Sequence, residues 1–108
     1  MGLFGFGKKK VDKGAWSEAI WGKRLKNPEK ESVESLSAYT TGMLVQYQRI
    51  IMESVGIVQT TRNPETRQGR IELCQKNLGL MKKLEPFCDS EQKVMIMQAE
   101  EAMRSAGR

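Results

Sequence analysis

The chain has 108 residues, 39% of them hydrophobic and 29% charged, which fits one folded domain and excludes a disordered chain. No run approaches the roughly 18 apolar residues of a membrane span. With no histidine and only two cysteines, the chain lacks Ser-His-Asp and Cys-His nucleophiles, Glu-x-x-His di-iron sites, and the usual His-containing or four-cysteine zinc sites.

The net charge of +5 is one-sided. Residues 1–30 carry eight Lys/Arg against three acids, and the remainder carries ten of each sign. Residues 1–14 read as a basic, phenylalanine-bearing arm on a single helical domain, 15–108. Leu3, Phe4 and Phe6 precede Lys8, Lys9, Lys10 and Lys13, with glycines between them. That pattern suits a negative surface over an apolar layer, the alternative being a solubilising tail that binds nothing. Each lysine near an anionic leaflet contributes about 1 kcal/mol, and a fully buried Phe about 1.5–3 kcal/mol. The arm is not a signal peptide, because its few apolar residues come before the lysines and are broken by glycine. Phe6 stands where a myristoylation motif requires Ser or Thr. The expected location is the cytoplasm, with peripheral contact at a membrane. Four lysines give any duplex DNA contact a modest salt dependence and no base readout.

Residues 15–26 are expected to form a short helix ending before Asn27-Pro28. Trp16, Ala19 and Ile20 share one side, while Trp21 and Leu25 fall on another, about 140° from Trp16. Such a helix must be covered twice, once by the body and once by something else. Trp16 and Trp21 are therefore the leading interface candidates, the alternative being that at least one belongs to the core.

Asn27-Pro28-Glu29 has the form of a helix start, so the second helix is expected over about 28–60. Leu36, Thr40, Met43, Tyr47, Ile50, Ser54 and Ile57 form its apolar row, flanked by Leu44, Ile51, Val55 and Val58. Gly42, among weak helix formers, leaves open whether this helix is continuous. Its N-terminal half needs cover of its own. Asn63-Pro64-Glu65 repeats the cap and starts a third helix, about 64–84, with Ile71, Cys74, Leu78 and Met81 as its stripe. Glu85-Pro86 ends it. Asp89-Ser-Glu-Gln92 has capping-box form and opens a fourth helix, about 90–106. Short links make successive helices antiparallel, so the fold class is an all-α, up-down bundle of three main helices plus a short N-terminal one. No disulfide is expected between Cys74 and Cys88, since a helix end separates them.

Residues 53–70 resemble a helical hairpin of uncharacterised bacterial and phage-borne proteins. Ser54, Ile57, Val58, Thr61, Asn63, Pro64, Thr66 and Arg70 carry that pattern. The resemblance implies a helix-turn-helix shape and a bacterial origin, and no activity.

Met81, Met95, Met97 and Met103 crowd the last two helices, where they either pack the core or offer a partner an adaptable face. Met95 and Met103 join Trp16, Trp21 and Leu25 as partner-binding candidates. Arg62, Arg67 and Arg70 surround the start of the third helix, where free N–H groups favour an anion, or else they pair with Glu65, Glu72 and neighbours. Glu100 and Glu101 point about 100° apart on a helix and cannot act as an acid/base pair. The expectation is a non-catalytic interaction module with no cofactor, metal or small-molecule substrate. Its partner would be another protein or a second copy, with a membrane surface or non-specific nucleic acid as alternatives.

Overall fold

The long helix begins at the cap that forms, Ser32, and not at Asn27. A computed structural model describes residues 11–106. In it Asn27-Pro28-Glu29 yields only a single 3-10 turn, Pro28–Lys30, and Asn27 makes no side-chain cap. The long helix α2 spans Val33–Thr60 and is capped by Ser32, whose Oγ accepts the Ser35 N–H at 3.0 Å. It thus starts five residues later than its Pro-Glu signal suggests. The same tripeptide does cap the next helix, α3 (Pro64–Leu84), where Asn63 Oδ1 accepts from the N–H groups of Glu65 and Thr66.

The remaining helices are α1 (Lys13–Trp21) and α4 (Ser90–Ala106), the latter preceded by a 3-10 turn over Glu85–Phe87. No strand occurs among the described residues, and the fold is an all-α bundle. No described helix is long and apolar enough to cross a membrane. α2 runs unbroken through Gly42 for 28 residues, about 42 Å. α3 returns antiparallel to it, and α4 then runs parallel to α2. That order is fixed by two polar ties. Gln92 on α4 reaches Ser37 and Thr41 on α2, and further along Gln48 on α2 reaches Met95 and Gln98 on α4. The body measures 58 × 29 × 15 Å.

The core runs along α2 through Leu36, Leu44, Ile51, Val55 and Val58, met by Met81 and Leu84 of α3 and by Ile96 and Ala99 of α4. The buried line of α2 draws on both rows, with Leu36, Thr40 and Ser54 of the heptad row fully buried. Met43, Tyr47, Ile50 and Ile57 are only half-buried, while Leu44, Ile51, Val55 and Val58 lie inside. Cys74 is buried and Cys88 half-buried, both as free thiols. Asn77 is buried too, its amide donating to Leu73 O at 2.8 Å.

Gln92 does two jobs at the start of α4. Its Oε1 accepts the Asp89 N–H while Asp89 Oδ1 accepts the Gln92 N–H, a reciprocal capping box. Its Nε2 donates to Ser37 O, Ser37 Oγ and Thr41 Oγ1 across the interface. Replacing it strips the cap and the tie together, and leaves the Ser37 carbonyl without that donor.

Because α2 is continuous and Gly42 faces open space, Gly42→Ala should stabilise the bundle by about 0.5–1 kcal/mol. Urea unfolding followed by circular dichroism measures this, and a destabilised variant would mean that the helix bends there.

Candidate functional site

The surface that matters is built on α1. Asp12 caps the helix, its Oδ1 accepting the Ala15 N–H at 3.0 Å. Helical structure therefore begins at Lys13, inside the stretch expected to belong to the arm. The Arg24 side chain folds back to Asp12, Nη2 to Oδ1 at 3.2 Å, and lies across Gly14. A Cβ at Gly14 would come within 2.5 Å of Arg24 Cζ, so a larger residue there would push the Arg24 guanidinium aside. Gly22, at φ +77°, ends the helix five residues before the expected boundary, and its N–H donates to Glu18 O. The glycine is the stop signal, and the following residues double back. Ser17 Oγ donates to Gly14 O and accepts the Leu25 N–H at 3.4 Å, which leaves Leu25 half-buried against α1.

The two tryptophans part ways as their helical separation requires. Trp16 is 3% exposed and belongs to the core, so its candidacy as a partner-binding residue is corrected. Its Nε1–H donates to Thr40 Oγ1 at 2.8 Å, and Thr40 in turn donates to Leu36 O. Its ring stacks on Phe87, centroids 5.6 Å apart and planes 7° from parallel. Trp21 stays 39% exposed and meets Tyr39 of α2 edge-on, 5.0 Å between centroids and 70° between planes. Tyr39 is itself 49% exposed, and the sequence reading missed it. Its only signal was an aromatic side chain on α2 outside the core stripe.

The other candidates fare differently. Met95 and Met103 are half-buried against the core, and Met103 lines a small pocket of about 170 Å³ with Val55, Ile71 and Cys74. The exposed methionine of α4 is Met97, at 63%, with Val94 also exposed. Arg67 Nη1 donates to Val58 O at the end of α2, and Asn63 already occupies two N–H groups at the start of α3. Arg62 is exposed and Arg70 half-buried. The three arginines thus do not surround a free anion site, because the helix start is capped from within and Arg67 closes the α2–α3 turn. Lys13 stands apart from the arm, on α1 with its ammonium 3.7 Å from Glu29. Leu3, Phe4, Phe6, Lys8, Lys9 and Lys10 lie outside the described residues.

No group of three His, Cys, Asp or Glu side chains gathers as a metal site among the described residues. The thiols are held protonated. Burial, then the carboxylates of Asp89 and Glu85, pushes Cys88 up to about 11. Burial also raises Cys74, against a smaller pull from the Ser54 hydroxyl and the Arg70 guanidinium. Neither is a ready nucleophile at neutral pH. Comparison of the chain with protein-family models, curated proteins and solved structures gives no match.

Thr40→Val should leave the buried Trp16 N–H without an acceptor and cost about 1–3 kcal/mol in urea unfolding. Adding Trp16→Phe, which removes the donor too, should cost less than the two changes summed. Acid tests the start of α1. The Ala15 N–H, with Arg24, holds the Asp12 carboxyl below its ordinary 3.8. The cap is therefore fully effective above about pH 4 and weakens only as pH falls through the lowered value. Indole fluorescence against pH should show this step, and Asp12→Asn, which keeps an acceptor without a charge, should flatten it.

Proposed function

We propose that this chain is a non-catalytic interaction module that docks a protein partner, or a second copy of itself, through the Trp21–Tyr39 pair. The observation that carries this reading is the exposure of a tryptophan already held in place by a second aromatic ring. Trp and Tyr are enriched among the residues that dominate interface energetics, and a preset ring loses little freedom on binding. The Tyr39 contact presets the Trp21 ring, since edge-to-face pairs favour one geometry. Leu25 is half-buried shortly after Trp21, and its backbone N–H donates to Ser17 Oγ of α1.

A second reading rests on charge. Lys23 and Lys26 are exposed just after Trp21, and Lys8, Lys9 and Lys10 precede the described helices in sequence. An anionic membrane surface would suit that set together with an interfacial tryptophan. Duplex nucleic acid would meet the same lysines without sequence preference.

Trp21→Ala should weaken self-association or partner capture by about 30-fold or more, the effect of losing a 2 kcal/mol anchor. Its cost to folding should be about 1–2 kcal/mol, since the ring is already 39% exposed and loses the Tyr39 contact with part of its burial. Sedimentation equilibrium and affinity capture with both chains measure the first, and thermal melting the second. Undiminished association by the variant would sink the reading. Co-sedimentation with anionic vesicles that salt abolishes would favour the membrane alternative.

A further inference from the structure

α2 carries two heptad rows on opposite sides. The row from Leu36 to Ile57 is buried or half-buried against the bundle. The other, Ala38, Gly42, Val45, Arg49, Met52 and Gly56, is exposed throughout. Its steps alternate between four residues and three, the spacing of a seam that meets another helix. A solvent-facing side is ordinarily charged or polar, yet this row has a single charge, Arg49. Val45 and Met52 stand 41% and 40% exposed. A Cβ built at Gly42 or Gly56 meets nothing within 4 Å. The two glycines are therefore gaps that the described chain does not fill.

The charges choose the occupant. Arg49 and Glu53 stand one turn apart on the exposed side, and among the described residues none of the ion pairs engages either of them. A second α2 laid parallel on this face would set Arg49 on Arg49 and Glu53 on Glu53. Laid antiparallel, about a twofold axis level with Ile51, it sets each Arg49 beside the other copy's Glu53. The same register brings each Val45 to the other copy's Gly56, a knob over a gap. A twofold interface has to be self-complementary, and this face meets that condition in charge and in shape.

The size also fits. Ala38 to Gly56 spans about 27 Å of helix. Val94, one turn from the Gln98 that bonds Gln48 at 3.1 Å, carries the exposed strip onto α4. A strip of that length and two helix diameters wide is about 550 Å² per copy, or about 1,100 Å² for the pair, which lies at the lower end of specific interfaces.

We propose that this face of α2 is the contact of a reversible, antiparallel homodimer. Val45 sits at the other copy's Gly56, and two reciprocal Arg49–Glu53 pairs fix the register. This inference does not rest on the Trp21–Tyr39 reading, which uses residues outside the row and leaves that pair free for a different protein.

Sedimentation equilibrium of the full chain, over a range of loading concentrations, tests it. The unsubstituted chain should dimerise reversibly with a Kd on the order of micromolar. Arg49→Glu and Glu53→Arg should each weaken the dimer about tenfold. The double variant, which restores the pairs with the charges exchanged, should recover it. Gly56→Gln should abolish the dimer, because a lone chain has room for the side chain and a second copy does not. Thermal melting at concentrations below the Kd should show no loss of fold in any of these variants. A chain that stays monomeric up to about 1 mM would overturn the proposal, and so would a double variant no better than the single ones. Self-association that Trp21→Ala abolishes and Gly56→Gln leaves untouched would overturn it too, while supporting the Trp21–Tyr39 reading.

Discussion

One indole N–H holds the N-terminal end of this molecule together. α2 is longer than the helices that cover it, 28 residues against 21 in α3 and 17 in α4. Gln92 of α4 meets one side of its first turns, and without α1 the side that carries Thr40 would face water. That helix has only nine residues, too short to be stable alone in water. It stays because Trp16 enters the body, donates to Thr40 and stacks on Phe87. The exposed aromatic pair follows from that seat. With Trp16 inside, Trp21 must emerge on another side, where Tyr39 meets it.

Polar groups, more than apolar ones, set the relation between the helices. Apolar side chains along α2 would accept several registers of α4, since one aliphatic contact resembles the next. Gln92 and Gln48 would not. A slip of α4 along α2 would carry Gln92 Nε2 away from Ser37 and Thr41, leaving a buried amide unsatisfied. Arg67 serves the α2–α3 turn in a similar way, through a carbonyl that the end of α2 leaves open.

Much of this was legible in the sequence where the signal was local. The bounds of α3 follow from Asn63-Pro64 before it and Glu85-Pro86 after it, and the capping box of α4 from Asp89 and Gln92. The fold class followed from the apolar periodicity. Local signals misled in two places. Asn27-Pro28-Glu29 has the same residues as its twin, yet Asn27 makes no side-chain cap where Asn63 accepts two N–H groups. Gly22, a left-handed stop, ended α1 earlier than the next proline suggested. The opposition of Trp16 and Trp21 was readable from their spacing. Which of them would be buried was not, because Thr40 and Phe87 lie 24 and 71 residues from Trp16 in the chain. Tyr39 and Met97 depend on which neighbours fold against them, and helical spacing alone does not supply that. The arginines around Asn63 looked like a receptor for an anion until the asparagine's own side chain took the free amides.

The dimensions of the body have a hydrodynamic consequence. A chain of this length folded into a sphere has a radius of gyration of about 13 Å, whereas this one has 16.7 Å. A slab this thin tumbles and diffuses slowly for its mass. On a sizing column it would elute ahead of round proteins of equal weight, and a lone chain would pass for a pair. Its stoichiometry in solution is therefore a question for methods that weigh particles rather than time their passage.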